Sequence, residues 1–188
     1  MVLLIDNYDG CVYNIYQLMG SVNPDVKRVR NDKITPEEIE KMAPSHIVIS
    51  GGSIPAKKAA KDLELVKRLQ GKIPVLGICL GHRVICTAFG GEETHLEEVR
   101  QGKLSDITVD TGCPLFLGLP EHIKGMRYHS TTVAEKNLPE CLEVTARSED
   151  GDVMGVRLKG TDVYGIQFHP ESFLAEYGQE IMRNFLNM

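Results

Sequence analysis

The sequence predicts an α/β fold, built on a doubly wound, mostly parallel sheet with antiparallel additions in its C-terminal half. In the first half, short apolar runs alternate with stretches of helical periodicity, which is the pattern of βαβ units. In the second half, the apolar runs are short and strand-like and are separated by turn residues. The 188 residues contain no internal repeat and no linker-like segment. We therefore expect one domain over residues 1–188.

The individual elements follow from this pattern in chain order. In the first half, strands are expected at 2–5, 26–29, 46–49 and 73–78, and helices at 14–19, 36–42, 56–70 and 82–89. In the second half, strands are expected at 107–109, 126–128, 142–146, 153–157 and 164–168, and a last helix at 177–186. Residues 148–152 have the composition of a hairpin turn. The residues 92–98 and the lysines at 57, 58 and 61 are interpreted as solvated surface.

Composition and charge exclude several classes of function. The net charge is -5, and lysine and arginine are scattered, so a nucleic-acid binder is not expected. No apolar run approaches the ~20 residues of a membrane helix, and the first strand is too short for a signal sequence, so we expect a cytoplasmic protein. Five cysteines without metal-type spacing indicate reduced thiols. Cys11, Cys86, Cys113 and Cys141 are expected to have no nearby base and lack ligand spacing, so they are interpreted as packing or incidental thiols.

The segment Gly77-Ile78-Cys79-Leu80-Gly81 joins a predicted strand directly to a predicted helix. Small residues on either side of a nucleophile permit a sharp turn that exposes the middle side chain above the sheet. A cysteine at a helix N-terminus is favoured as the thiolate by the macrodipole and by free N–H groups. Cys79 is therefore the candidate nucleophile. The alternative is a buried cysteine that only fills the end of a strand.

A candidate general base follows the last predicted strand, in the segment Phe168-His169-Pro170-Glu171. Parallel strands place their sites at their carboxyl ends, so His169 and Cys79 are expected at the same edge. His169 can accept the thiol proton, and Glu171 can hold the other imidazole N–H and so fix the tautomer. The alternative is that His169 is a solvated turn residue, and the pairing with Cys79 argues against it.

These motifs resemble the class I, or triad, glutamine amidotransferases. The segments 4–9, 29–32, 127–130 and 154–157 are similar to component II of anthranilate synthase and to the amidotransferase component of aminodeoxychorismate synthase, and the similarity spans residues 2 to about 186. The resemblance implies a flavodoxin-like amidotransferase fold and a γ-glutamyl thioester on Cys79. It also implies ammonia transfer through a tunnel to a larger chorismate-binding synthase component. No metal or organic cofactor is implied.

The resemblance further assigns roles to residues around the triad. Gly52 and Leu80 would supply the N–H groups of an oxyanion hole, and such donors are worth roughly 2.7 to 4 kcal/mol each in other hydrolases. Ser53 would line the glutamine pocket. Ser130 and Thr131 would hold the α-amino and carboxylate end of glutamine.

Two departures from the family pattern concern this glutamine pocket. The loop 50–55 is one residue shorter than the family's usual loop, and Arg83 stands where the family has a glutamine that touches the substrate. For Arg83, three interpretations stay open: it binds the substrate carboxylate through a bidentate contact, it projects into solvent, or it obstructs the pocket.

Two other functions compete with the leading one. The first is a catalytically silenced regulatory chain that keeps the fold. The second is the amidotransferase subunit of a GMP synthetase, which also has a Ser-Gly-Gly loop; the segments 6–9 and 128–130 argue against it. The sequence does not distinguish anthranilate from aminodeoxychorismate as the final product, because that selectivity resides in the partner chain.

Overall fold

The computed structural model covers residues 1–188 and forms one nine-stranded sheet in the order β2-β1-β3-β4-β9-β8-β7-β5-β6. The strands are β1 (Val2–Asp6), β2 (Val26–Arg30), β3 (His46–Ile49), β4 (Val75–Ile78), β5 (Glu93–Val109), β6 (His122–Val133), β7 (Leu142–Ser148), β8 (Val153–Leu158) and β9 (Val163–Ile166). The helices are α1 (Val12–Val22), α2 (Pro36–Met42), α3 (Ala60–Leu69), α4 (Leu80–Ala88) and α5 (Gly178–Leu186). This arrangement confirms the predicted doubly wound α/β fold with antiparallel additions.

The parallel half of the sheet consists of β2, β1, β3, β4 and β9, and its central strands are apolar and buried on both faces. Helices cover both faces, as a parallel sheet requires. One core includes residues of α1 and α5, among them Ile15, Met19 and Phe185. The other core includes residues of α2, α3 and α4, among them Ile39, Leu65 and Val84. These two cores pack against the two faces of the parallel strands, and the site is built on the ends of those strands.

Local signals account for where the helices begin. Thr35 accepts a hydrogen bond from the Glu38 N–H, and the Glu38 side chain accepts one from the Thr35 N–H, which makes a capping box before α2. Pro36 occupies the first turn, where its missing N–H costs nothing. The predicted helix at 56–70 is divided in the structure into a 3-10 turn (Ala56–Lys58) and α3, because Ala59 leaves the helical conformation with φ -84° and ψ 57°.

The antiparallel half differs most from the sequence prediction. The short strand predicted at 107–109 is the end of a 17-residue strand, β5, which pairs with β6 along most of its length. Register shifts between His95 and Arg100 and between Gln101 and Lys103 interrupt this pairing. The predicted hairpin turn at 148–152 does connect β7 to β8. No helix of the protein is long and apolar enough to cross a membrane.

The strand register places four chain segments at one edge of the sheet. Ile5 pairs with Ile49, Ile49 with Gly77, and Ile78 with Ile166, so β1, β3, β4 and β9 end side by side. The residues that follow each strand therefore meet at the carboxyl edge, beside the point where the strand order reverses. This edge carries the loop after β1, the loop 50–55, Cys79 and His169.

Asp62, in the first turn of α3, gives a testable dependence of stability on pH. Its side chain is buried, and burial raises the pKa of this carboxyl to about 6, although Asn7 and Lys61 favour the charged form. A raised carboxyl pKa means that the folded state is favoured by protonation, so stability is lost as pH rises from about 4 through about 6. We expect Asp62→Asn to be more stable than the parent by roughly 2–3 kcal/mol at pH 8, and by much less at pH 4.5.

Urea unfolding at these two pH values measures the difference. An Asp62→Asn variant that is destabilised by the same amount at both pH values would show that Asp62 is needed as an ionised partner and that burial does not dominate its pKa.

Candidate active site

The turn between β4 and α4 exposes Cys79 in a strained conformation. Cys79 has φ 53° and ψ -99°, in a region that side chains rarely adopt, and its N–H donates to the Ile166 carbonyl at 2.8 Å. A Cβ on Gly77 would lie 2.3 Å from the Gly81 backbone, and one on Gly81 would lie 2.4 Å from the Ile49 carbonyl oxygen. Both glycines are therefore required by close backbone contact, and together they allow the turn that presents the Cys79 thiol at the start of α4.

His169 and Glu171 form the second half of the predicted triad. The imidazole Nδ1 and the Glu171 Oε1 are 2.6 Å apart, and the two side chains are only 3% and 1% exposed. The backbone N–H of His169 donates to the Met126 carbonyl at 2.9 Å. The Tyr128 ring packs edge-on against the imidazole, with the ring centroids 5.1 Å apart. These contacts fix the ring plane and leave Nε2, which is buried and has no hydrogen-bond partner, as the free nitrogen.

The charge state of His169 follows from its surroundings. Burial disfavours the imidazolium, but the side chains of Cys79 and Glu171 outweigh burial and hold the pKa of His169 well above its ordinary value. A base with a raised pKa accepts a proton more readily, so His169 is suited to act as the general base of this site.

Gln167 is a second polar neighbour of the nucleophile that the sequence did not reveal. Its side-chain amide donates to the Cys79 Sγ at 3.5 Å, and the residue is fully buried after β9. A donor at this position stabilises negative charge on sulfur. No motif marked Gln167, because it lies in an apolar stretch and the contact spans 88 residues of sequence.

Cys11 lies beside the triad, which corrects its interpretation as a thiol without a nearby base. Its Sγ and ligand atoms of His169 and Glu171 all lie within 4.8 Å of one another. Burial, as the largest effect, raises the pKa of the Cys11 thiol, and the charge on His169 opposes it. Cys11 comes from the turn before α1, so sequence distance hid its place beside the triad.

A cavity of about 540 Å³ opens over Cys79. Its wall includes the predicted glutamine-pocket residues Gly52, Ser53, Arg83, Ser130 and Thr131, so the fold brings together every residue assigned to this pocket. Leu80 is buried as the first residue of α4, directly behind the nucleophile. The volume is within the range of small-ligand sites and leaves room for an amino acid.

The loop 50–55 is held by the residues after β1. The Asn7 N–H donates to Ser50 Oγ at 2.9 Å, and the Asn7 Oδ1 accepts from the Asn31 side chain at 2.6 Å. A Cβ on Gly52 would lie 2.7 Å from a methyl of Leu80 and 3.0 Å from the Asn7 carbonyl oxygen. Gly52 and Leu80 are therefore packed against each other beside the nucleophile.

Ser130 and Thr131 are held by a buried polar network on β6. Arg127 is fully buried, pairs with Asp152 at 2.5 Å and Asp150 at 3.1 Å, and donates to the His129 Nε2 at 3.1 Å. Burial, reinforced by the charge on Arg127, lowers the pKa of His129 to about 3. The neutral imidazole then donates from Nδ1 to the Thr131 carbonyl at 3.0 Å, which fixes the backbone of this segment.

Arg83 is buried, which excludes the interpretation that it projects into solvent. Its Nη1 lies 2.6 Å from the Glu93 Oε1, so the guanidinium is ion-paired at the cavity wall. The cavity remains open beside it. The interpretation of Glu93 as part of a solvated face is wrong, because the long strand β5 carries its side chain inward to Arg83.

Comparison with known proteins identifies the family of the chain. The family model for class I glutamine amidotransferases matches residues 3–188. The chain is 46% identical to the anthranilate synthase component 2 of Pseudomonas aeruginosa, with 99% of this chain and 94% of that protein covered. It is 41% identical to the aminodeoxychorismate/anthranilate synthase component 2 of Bacillus subtilis, with 99% and 95% covered. A bifunctional TrpGD protein of Thermotoga maritima is 48% identical, but the chain spans only 32% of its length.

A solved structure supports the fold. A putative GMP synthase subunit from Thermoplasma acidophilum superposes with a TM-score of 0.88 at 26% identity, covering 99% of this chain and 92% of that one. With its match over residues 3–188, this chain belongs to the class I glutamine amidotransferase family.

Proposed function

We propose that the chain is the glutaminase subunit of an anthranilate or aminodeoxychorismate synthase and delivers ammonia to a chorismate-binding synthase component. The observation that carries this proposal is the buried pair of His169 and Glu171 at the same strand edge that presents Cys79 to an amino-acid-sized cavity. Relatives at 41–46% identity over nearly the full chain carry the names of these two synthases. The single domain over residues 1–188 is part of the proposal, and the five free cysteines favour the reducing cytoplasm.

The chemistry proceeds through a thioester. His169 holds the proton of the Cys79 thiol, and the thiolate attacks the γ-carbonyl of glutamine to form a tetrahedral oxyanion. The N–H groups of Gly52 and Leu80 would receive this oxyanion. His169 returns the proton to the leaving nitrogen, so ammonia departs and a γ-glutamyl thioester remains. Water, deprotonated by His169, then attacks the thioester and releases glutamate and the thiol.

Ser53, Ser130 and Thr131 are proposed to bind the polar end of glutamine. All three line the cavity above Cys79, and the network of Arg127 and His129 fixes the segment that carries Ser130 and Thr131. Preorganised hydrogen-bond donors and acceptors of this kind orient a substrate without further ordering cost.

Exposed aromatic side chains beside the triad support a partner chain at this face. Tyr8 and Tyr13 are more than half exposed on the segment around Cys11, and Phe173 is 94% exposed just after Glu171. Exposed apolar side chains clustered at a site mark protein contact surfaces. Ammonia released at Cys79 would be delivered to a partner seated there.

The test is stimulation by purified partner chains, with glutamate release and aromatic product measured together. We expect the isolated chain to hydrolyse glutamine slowly, and an anthranilate or aminodeoxychorismate synthase component 1 with chorismate to accelerate it at least about tenfold. The GMP synthetase alternative predicts stimulation by that enzyme's synthetase component with its nucleotide substrates. Stimulation by the GMP synthetase component, with no stimulation by either component 1, would contradict the proposal. Binding of a component 1 without any glutamate release would also contradict it.

A further inference from the structure

Cys11, His169 and Glu171 form a cluster of metal-ligand atoms beside the nucleophile. The Cys11 Sγ, an imidazole nitrogen of His169 and a carboxylate oxygen of Glu171 all lie within 4.8 Å of one another. Cys11 lies in the turn before α1 and the other two residues follow β9, so the sheet edge brings them together from opposite ends of the chain. Thiolate, imidazole and carboxylate are the side-chain ligands that Zn²⁺ takes in proteins, and three such ligands leave a fourth position for water.

The separations within this cluster lie on both sides of those in a zinc site. Bonds of about 2.0–2.3 Å to a tetrahedral Zn²⁺ place its ligand atoms roughly 3.3–3.6 Å apart. In this chain, the His169 Nδ1 and the Glu171 Oε1 are 2.6 Å apart, and the Cys11 Sγ lies within 4.8 Å of its two neighbours. A change of the Cys11 rotamer and an opening of the His169–Glu171 pair by roughly 1 Å therefore suffice to admit the ion.

Glu171 has a buried oxygen that no donor in the protein satisfies. Its side chain is 1% exposed, Oε1 faces the imidazole, and Oε2 is buried without a hydrogen-bond partner. Asp9, which accepts the Cys11 N–H at 2.9 Å, likewise leaves its Oδ2 buried and unpartnered. Buried carboxylate oxygens without donors are unfavourable, and a cation bound beside Cys11 offsets this cost.

We propose that Cys11, the His169 Nδ1 and Glu171 bind Zn²⁺, and that the bound ion blocks the triad. Cys11 is partly exposed, which gives the ion access from solvent, and its thiol proton is released on binding. A metal on Nδ1 leaves the imidazole hydrogen on Nε2, so this nitrogen donates and no longer accepts the proton of Cys79. The ion also takes the carboxylate that orients the base. Metal binding stands on the cluster alone, whereas the blocking effect rests on the proposed glutaminase function.

The experiment measures metal binding to the full chain in a Cys79→Ser background, which removes the nucleophilic thiolate as a ligand. Co²⁺ is the spectroscopic probe, because a thiolate ligand gives it a sulfur-to-metal charge-transfer band in the near ultraviolet. Zn²⁺ is then added to displace Co²⁺, and calorimetry gives the dissociation constant of Zn²⁺. We expect the Cys79→Ser chain to bind one ion and to show the charge-transfer band.

Three further variants in this background identify the ligands. Cys11→Ser should lose the band and bind Zn²⁺ at least about tenfold more weakly, since even the outer-shell partners of metal ligands contribute that much. Glu171→Gln keeps the thiol and should weaken Zn²⁺ binding by a similar factor. Cys141→Ser, which changes an exposed cysteine, should keep both the band and the affinity. The proposal is overturned if Cys11→Ser keeps the band, if only Cys141→Ser loses it, or if Glu171→Gln binds Zn²⁺ as tightly as its parent.

The blocking effect is measured as glutamate release by the chain that retains Cys79. Zn²⁺ should inhibit it near the measured dissociation constant, and excess EDTA should restore it. Cys11→Ser, compared with its own metal-free rate, should require at least about tenfold more Zn²⁺ for the same inhibition. Equal sensitivity of the two chains would place the inhibitory ion on Cys79 alone and contradict the proposal. Absent glutamate release in the metal-free chain would be a failure of the proposed function and would leave the binding results intact.

Discussion

Cys79→Ser is expected to lower kcat for glutamine hydrolysis by about 10⁴- to 10⁶-fold, since loss of the nucleophile in hydrolases of this type has effects of that order. The serine hydroxyl does not lose its proton to His169 near neutral pH, so the substituted chain has no counterpart of the thiolate. Gly77 and Gly81 accommodate the turn equally well for serine, and the fold should be retained. The measurement is glutamate release in the complex with the synthase component.

Two controls make this result specific. Ammonia supplied in solution should support the partner's reaction undiminished, because only the source of ammonia has been removed. Cys141→Ser, which changes an exposed cysteine, should behave as the parent does. Equal glutamate release by Cys79→Ser and the parent chain would remove Cys79 from the mechanism.

Glu171→Gln is expected to lower kcat by about 10²- to 10⁴-fold, with a much smaller effect on KM, because an orienting carboxylate acts on the base more than on substrate binding. The Glu171 Oε1 accepts a hydrogen bond from the His169 Nδ1 at 2.6 Å, and the Glu171 side chain is almost fully buried. Replacing the carboxylate by the amide of glutamine keeps the shape of the side chain and removes its charge. A charge-neutral partner can also present its NH₂ group to Nδ1, which favours the wrong tautomer.

Glu171→Gln should also change the pH dependence of Cys79 alkylation, and the direction of that change follows from the pKa of His169. In the parent chain, Cys79 and Glu171 hold the pKa of His169 well above its ordinary value against the effect of burial. Removing the carboxylate charge lowers that pKa, so the imidazolium is lost at a lower pH and the imidazolium–thiolate pair is less stable. Alkylation of Cys79 at pH 7 should become slower in this variant. The increase of the alkylation rate with pH should occur at a higher pH than in the parent chain. Unchanged alkylation rates across pH 5 to 9 in this variant would mean that Glu171 does not set the charge state of His169.

The sequence was sufficient to predict those parts of the site that lie at the ends of parallel strands. The close contacts of Gly77 and Gly81 explain why the spacing around Cys79 was informative. The segment from His169 to Glu171 was informative for a similar reason. The base and its partner lie on the same short turn, with only Pro170 between them. In both cases the chemistry is local to a few residues, and the sheet brings the two segments together by a rule that holds for all such folds.

The remaining parts depend on contacts between distant residues, which a single sequence does not encode visibly. Glu93 lies in a charged stretch without strand periodicity, so neither the start of β5 nor the ion pair with Arg83 could be predicted. Gln167 contacts Cys79 across 88 residues, and Cys11 reaches His169 from the other end of the chain. The buried position of Arg127 depends on Asp150 and Asp152 folding over it, and in the sequence those acidic residues indicate only a turn.

The central claim is that Cys79 forms a covalent γ-glutamyl bond, and trapping tests it most directly. The folded chain is treated with an electrophilic glutamine analogue, and the modified peptide is identified by mass spectrometry, with excess glutamine as competitor. We predict a single adduct on Cys79 that glutamine suppresses and that is absent in His169→Ala at pH 7. Modification of Cys11 in place of Cys79, or the absence of any adduct on the folded chain, would contradict the assignment of Cys79 as the nucleophile.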